Sequence, residues 1–113
     1  MKFPGDAVRG SSTGRPIMVL LDHLGKRWTL RILWELGQIE ATSFRELRAQ
    51  CGDPSPTVLN GRLKELRALG FVALTESGYA LTREGETLCE HLLPLDKWAR
   101  DWAASRSEGH GGA

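Results

Sequence analysis

No apolar run in this chain approaches the roughly 20 consecutive residues that a bilayer-spanning helix needs, so no membrane partner is expected. The N-terminal stretch MKFPGDAVRGSSTGRP lacks an apolar h-region. It is not read as a secretory signal, and a cytoplasmic location is expected. Cysteine is scarce. Cys51 and Cys89 allow one disulfide at most, too few for a secreted disulfide scaffold. No C-x-x-C pair and no Cys/His cluster at zinc spacing occurs, so no metal is expected. Nucleophile–base pairs and phosphate-binding glycine loops are also missing, which excludes the common enzyme motifs and leaves no cofactor to expect.

Strong net charge is lacking too, at +1 for the whole chain, but the distribution is uneven. Residues 1–70 carry 11 Lys/Arg against 7 Asp/Glu, whereas residues 71–113 carry 4 against 7. A weak basic footprint therefore lies in the first part of the chain. At 113 residues, 41% of them hydrophobic, one core can hold one domain without staples.

Residues 1–15 are Gly-, Ser- and charge-rich and read as a flexible N-terminal arm. A first helix is predicted over 16–24, opened by Pro16 and closed by Gly25, with Ile17, Leu20, Leu21 and Leu24 as its apolar face. A second is predicted over 26–36, with Trp28, Ile32, Leu33, Trp34 and Leu36 inward and Gly37 at its end. After a connector at 39–43 that could hold one brief strand, Ser43 caps a third helix bearing Phe44, Leu47 and Cys51. Gly52-Asp53-Pro54 breaks the chain, and Ser55 with Pro56 starts a fourth helix that Gly70 ends. Residues 71–75 and 79–81 alternate like a hairpin around Glu76-Ser77-Gly78. Thr82 caps a last helix to about Ser105, with Pro94 expected to kink or interrupt it. Residues 106–113 read as a disordered tail, leaving 16–105 as the folded domain with its dimerisation helices.

The order of three helices, a tight turn, a helix, a hairpin and a helix predicts a mainly α fold with a small β-hairpin wing, a winged helix-turn-helix. At 100° per residue, Leu59, Leu63 and Leu66 point one way along helix four, with Arg62 on the flank. Thr57, Asn60, Gly61 and Lys64 point the other way. A recognition helix presents its N-terminal residues to base edges. The base-reading candidates are therefore Ser55, Pro56, Thr57, Asn60, Gly61 and Lys64. Asn can bond adenine bidentately, and the Thr methyl can meet a thymine methyl. Gly61 costs about 1 kcal/mol inside a helix, and a gap there would let the helix approach DNA closely. Arg45, Arg48 and Arg62 are the phosphate candidates.

The segments LDHLGKRWTLRILWEL, SFRELRAQ, SPTVLNGRLKELRALGFV, YALTREGETL and LDKWARDW occur here in that order. Over residues 20–102 the chain resembles the HxlR-type winged helix-turn-helix transcriptional regulators, relatives of the MarR group. The resemblance implies a dimeric regulator of transcription with one recognition helix per subunit. It also suggests room for an effector between helix one, helix two and the last helix. Two departures stand out. Many members carry a cysteine just before helix one, in some a thiol sensor, whereas this chain reads GRPIMVL there. The family wing is usually longer and basic, whereas Thr75-Glu76-Ser77-Gly78 is short and acidic.

Several residues have a plainer reading beside the functional one. Trp28 and Trp34 read as core rather than as a ligand pocket. His23, next to Asp22, reads as a surface or interface histidine because no third ligand follows at helical spacing. Cys51 reads as a half-buried apolar side chain rather than a redox switch. Leu88, Leu92, Leu95, Trp98 and Trp102 form a stripe on the last helix that suits a twin subunit, with Ile17 and Leu20 of helix one as the second part of that interface. The expected partners are double-stranded DNA, a second copy of the chain and an unidentified small-molecule effector. The expected function is a homodimeric, sequence-specific operator-binding regulator with no enzymatic activity. A winged-helix protein docking module without DNA binding stays open beside it.

Overall fold

The computed structural model of the protein describes residues 1–8 and 12–112, with side chains described to Ser107. Helices α1 (Pro16–Leu24), α2 (Thr29–Leu36), α3 (Phe44–Gln50) and α4 (Pro56–Ala68) precede a hairpin, β1 (Val72–Thr75) and β2 (Gly78–Leu81), and helix α5 (Arg83–Gly112). Ile32, Leu33 and Leu36 of α2 meet Leu47 of α3, and Leu59, Leu63 and Leu66 of α4, in one buried cluster with Leu24, Cys51 and Val72. Each fully buried Leu or Ile contributes about 1.5–3 kcal/mol relative to exposure. Leu88 and Leu92 join α5 to this cluster from its edge.

Local chemistry sets most boundaries. Ser43 Oγ accepts the Glu46 N–H at 3.1 Å, and Ser55 Oγ accepts the Val58 N–H at 3.2 Å. Gly70 takes φ +88° after α4, so that the N–H groups of Gly70 and Phe71 return to the carbonyls of Arg67 and Leu66. The strands pair antiparallel, Val72 with Leu81 through Thr75 with Gly78, around a two-residue loop. The connector supplies a single antiparallel bridge. Thr42 and Tyr79 exchange N–H···O bonds of 2.9 and 2.8 Å. Gly78 takes φ +118°, and a Cβ there would run into the Thr42 carbonyl oxygen, so glycine is what lets the third segment close on the hairpin.

Several expectations are corrected. α2 begins at Thr29 rather than at 26, because Trp28 adopts a left-handed φ of +78° and turns the chain. The buried face of α1 is Val19, His23 and Leu24, while Ile17 and Leu21 face outward. His23 is therefore interior and not at the surface. Trp34 is exposed rather than in the core; Trp28, half-buried, does pack against it. Of the kink or interruption expected at Pro94, the interruption does not occur, and α5 runs through it as one helix. Proline leaves the carbonyl four residues back unbonded, and here Glu90 and Pro94 are both on the solvent side, where water can serve that carbonyl.

α5 also passes Ser105 and continues to Gly112, while Ala113 of the expected tail lies outside the described residues. In the expected arm, 9–11 lie outside the described residues. Around them the Gly5 N–H donates to the Gly14 carbonyl at 2.8 Å, and His23 Nε2 sits 2.6 Å from the Lys2 carbonyl.

Candidate nucleic-acid interface

The turn between α3 and α4 is built by backbone freedom and one guanidinium. Gly52 and Asp53 take φ of +86° and +59°, the Asp53 N–H donates to the Arg48 carbonyl, and Arg48 Nε donates to the Pro54 carbonyl at 2.7 Å. Pro54 is buried beneath the turn. These bonds aim the first turn of α4 outward. Ser55, Pro56, Thr57, Asn60 and Lys64 are all exposed, while Leu59, Leu63 and Leu66 are buried on the opposite side. Among the described residues, the side chains of Thr57, Asn60 and Lys64 have no hydrogen-bonding partner, so their donors and acceptors face solvent unengaged. A Cβ built on Gly61 would meet no heavy atom within 4 Å, so the gap at that position is open.

The three arginines expected at phosphates divide. Arg45 on α3 is exposed. Arg48 is half-buried and serves the turn through Nε, with the rest of its guanidinium still able to donate. Arg62 is more committed. Its Nε donates to the Arg27 carbonyl at 3.0 Å, and its Nη1 pairs with Glu65 at 2.9 Å.

Glu65 is the residue that sequence reasoning missed. It sits on the flank of α4 and receives Lys26 Nζ at 2.8 Å and Arg62 at 2.9 Å, with His23 Nδ1 3.8 Å away. Burial pushes its carboxyl up, but the Lys26 hydrogen bond and charge, then Arg62 and His23, outweigh that and hold it below the ordinary carboxylate range. Lys26 and Arg27 belong to the turn that Trp28 bends, and the Arg27 guanidinium lies 5.2 Å from the Trp28 ring centroid. The turn is thus fastened to α4 by two side chains, which offsets the cost of a left-handed tryptophan. Because Glu65 is folded onto Lys26 and Arg62, it does not neutralise Arg67, an exposed cation farther along the same helix. Spacing along the chain gives no sign of this, since Lys26 and Glu65 are 39 residues apart.

The wing is polar and acidic at its tip, where Glu76 and Ser77 are exposed. Away from α4, the expected dimer residues split into two sets. Leu20, Leu88 and Leu92 are half-buried against the chain's own core. Ile17, Leu95, Trp98 and Trp102 are between 52% and 61% exposed. Trp98 and Trp102 stack one turn apart, centroids 6.1 Å and planes 10° from parallel, with Arg106 5.8 Å from the Trp102 centroid. A cleft of about 470 Å³ opens between α2 and α5. α1 supplies none of its lining, so the room expected between three helices lies between two.

Comparison with known proteins agrees with this architecture. The HxlR-like helix-turn-helix family profile matches residues 23–107. The chain is 31% identical over 90 residues to BH0655 of Halalkalibacterium halodurans, described as an uncharacterized HTH-type transcriptional regulator, spanning 74% of this chain and 80% of that protein. YdzF of Bacillus subtilis, described in the same terms, is 28% identical over 90 residues, spanning 74% of this chain and 83% of that protein. Among solved structures, quinone-bound YodB from B. subtilis superposes with a TM-score of 0.70 at 28% identity, covering 75% of this chain and 96% of that chain. A possible HxlR family transcriptional factor from Thermoplasma volcanium superposes at 0.67 and 30% identity, covering 74% and 81%. Both the winged helix-turn-helix fold and a role among regulators of transcription follow.

Proposed function

The chain belongs to the HxlR-like helix-turn-helix family, and we propose that two copies together read a pseudo-palindromic operator, each placing α4 in a major groove. The observation that carries this reading is the one-sided exposure of α4. Thr57, Asn60 and Lys64 reach outward with unengaged hydrogen-bonding groups, beside the capping hydroxyl of Ser55, and the leucines of α4 hold the helix to the core. Asn60, Thr57 and Ser55 supply the base-edge chemistry, and Pro56, beside them, fixes the helix start. Lys64 lies a turn deeper, within reach of a base or a phosphate. Arg45, Arg48 and Arg67 supply phosphate contacts, with Arg62 in a supporting role through its bond to Arg27.

Two-fold pairing suits the exposed apolar stripe of Leu95, Trp98 and Trp102, with Ile17 of α1 as its second part. Two recognition helices in successive major grooves stand about 34 Å apart. A cytoplasmic regulator of this kind answers a small-molecule effector, a reading supported by the quinone-bound form of YodB, a similar protein.

The test is a titration of operator duplex at several salt concentrations. With about three phosphates neutralised per subunit, log K against log salt falls with a slope near −5. Asn60→Ala weakens binding and relaxes specificity, and Lys64→Ala reduces the slope by about one per subunit. A slope near zero, or full function in both variants, contradicts the reading and leaves protein docking in its place.

A further inference from the structure

We infer that the turn between α1 and α2 is a second DNA-contact element, in which Arg27 takes a backbone phosphate while Arg62 and Glu65 hold the turn in place. This deepens the DNA-binding reading and rests on it. The turn is strained. Trp28 is a bulky residue at φ +78°, a conformation such side chains rarely adopt. Strain of this kind persists only where the surroundings hold it, and it gathers at ligand clamps. α4 holds this turn on either side of the tryptophan. Lys26 Nζ reaches Glu65 at 2.8 Å, and Arg62 Nε donates to the Arg27 carbonyl at 3.0 Å. A glycine at 28 would take the same φ without steric cost. What it would lose is the indole, and the indole is what Arg27 lies over, 5.2 Å from the ring centroid.

The arrangement thus presents one guanidinium. Arg27 is exposed, and among the described residues no carboxylate or carbonyl accepts its side chain. A guanidinium on an aromatic ring keeps its edge donors free, and its planar fork matches the oxygens of a phosphate. Charge favours an anion as well. Lys26 and Arg62 share the single carboxylate of Glu65, so with Arg27 the turn and the flank of α4 carry three cations against one acid.

Position decides which anion. Glu65 follows Gly61 by about 40° around α4, so the turn lies on the flank next to the open point of the outward face. Arg48 serves the turn before Ser55, whereas Arg27 is bonded at Arg62, about 10 Å farther along the helix axis. A helix in a major groove about 12 Å wide has a sugar–phosphate backbone on each side. Cations at two separate places beside α4 suit those two walls. A lone exposed guanidinium holds a free anion weakly, but a phosphate that α4 has already brought beside it binds as an intramolecular partner. The occupant is therefore a DNA phosphodiester.

The test uses the full-length protein and two duplexes, alternating dA-dT and the operator recovered by selection, each titrated at several salt concentrations. Arg27→Gln removes the charge, Arg27→Lys keeps it without the fork, and Lys97→Gln removes an exposed charge from α5 as a control. Arg27→Gln is expected to weaken both duplexes by the same factor and to reduce the salt slope by about one per subunit, with an unchanged far-ultraviolet spectrum. Arg27→Lys keeps the slope, and Lys97→Gln changes neither quantity. A neutral methylphosphonate is then placed at each operator phosphate in turn. At one phosphate per half-site it weakens the wild type and leaves Arg27→Gln unaffected, which a merely structural arginine would not produce. Arg62→Met and Glu65→Gln each diminish the effect at that phosphate although Arg27 is present. An unchanged slope in Arg27→Gln, an equal change in Lys97→Gln, or no phosphate to which Arg27→Gln is indifferent overturns the contact and leaves the DNA reading standing. An undiminished effect in both Arg62→Met and Glu65→Gln overturns the positioning role. A wild type that binds neither duplex at low salt is the distinct failure of the DNA reading, and the contact falls with it.

Discussion

Replacing Gly61 with alanine sets stability against recognition at one position. The backbone at Gly61 is helical, and an added Cβ meets nothing within 4 Å. Alanine therefore gains the full helix-propensity difference of about 1 kcal/mol, partly by restricting the unfolded chain. For a domain near 100 residues, that raises the thermal midpoint by about 4 °C or slightly more. On the DNA side the same methyl stands on the outward face between Thr57 and Lys64. If that face lies against base edges, the methyl holds the helix off. The penalty is of the order of one bidentate base pairing, about 1–3 kcal/mol, or about 5- to 150-fold in affinity. Thermal unfolding followed by circular dichroism measures the first effect, and fluorescence anisotropy on a labelled operator the second. A lower midpoint would refute the open geometry at Gly61. A higher midpoint with unchanged DNA affinity would remove this part of α4 from the interface.

Three further outcomes are expected. Glu65→Gln leaves Lys26 and Arg62 without their carboxylate and costs about 1–3 kcal/mol at neutral pH in urea unfolding. Because the folded carboxyl is held below its ordinary value, its contribution is complete above the unfolded value near pH 4.3 and is lost as pH falls through the lower folded value. The gap between variant and wild type should therefore close in acid, and a constant gap down to pH 2 contradicts the linkage. Gly78→Ala forces a Cβ into the Thr42 carbonyl at a left-handed φ and destabilises by about 2 kcal/mol or more, whereas Ser77→Ala, next to it but exposed, stays within about 0.5 kcal/mol; equal effects would refute the close approach. Trp98→Lys, at a site 61% exposed, leaves the monomer fold intact and lowers the sedimentation coefficient; an unchanged oligomer moves the interface elsewhere.

What was legible in the sequence is what short-range chemistry decides. Ser43, Ser55, Pro56 and Gly70 mark helix ends because a cap acts over three or four residues, and the Leu59, Leu63 and Leu66 spacing fixes the inward face of α4 without knowledge of its neighbours. The hairpin was legible for the same reason. The residues misread depend on distant parts of the chain. His23 is interior because Lys2 and Glu65 cover it, and neither lies near it in sequence. Trp28 bends the chain out of a helical pattern because α4 holds the turn on either side of it. Trp34 follows the apolar period of α2, yet the helix has a second apolar face that the chain's own core leaves uncovered. Pro94 is tolerated because solvent lies on that side of α5, which a local rule about proline does not see.

The central claim is that this protein reads DNA as a two-fold pair, and selection from a pool of random duplexes at two salt concentrations tests it most directly. The account predicts enrichment of an inverted repeat with half-sites about one helical turn apart, bound far more weakly at the higher salt. Failure to enrich any sequence, with no salt-dependent binding at micromolar protein, would contradict it.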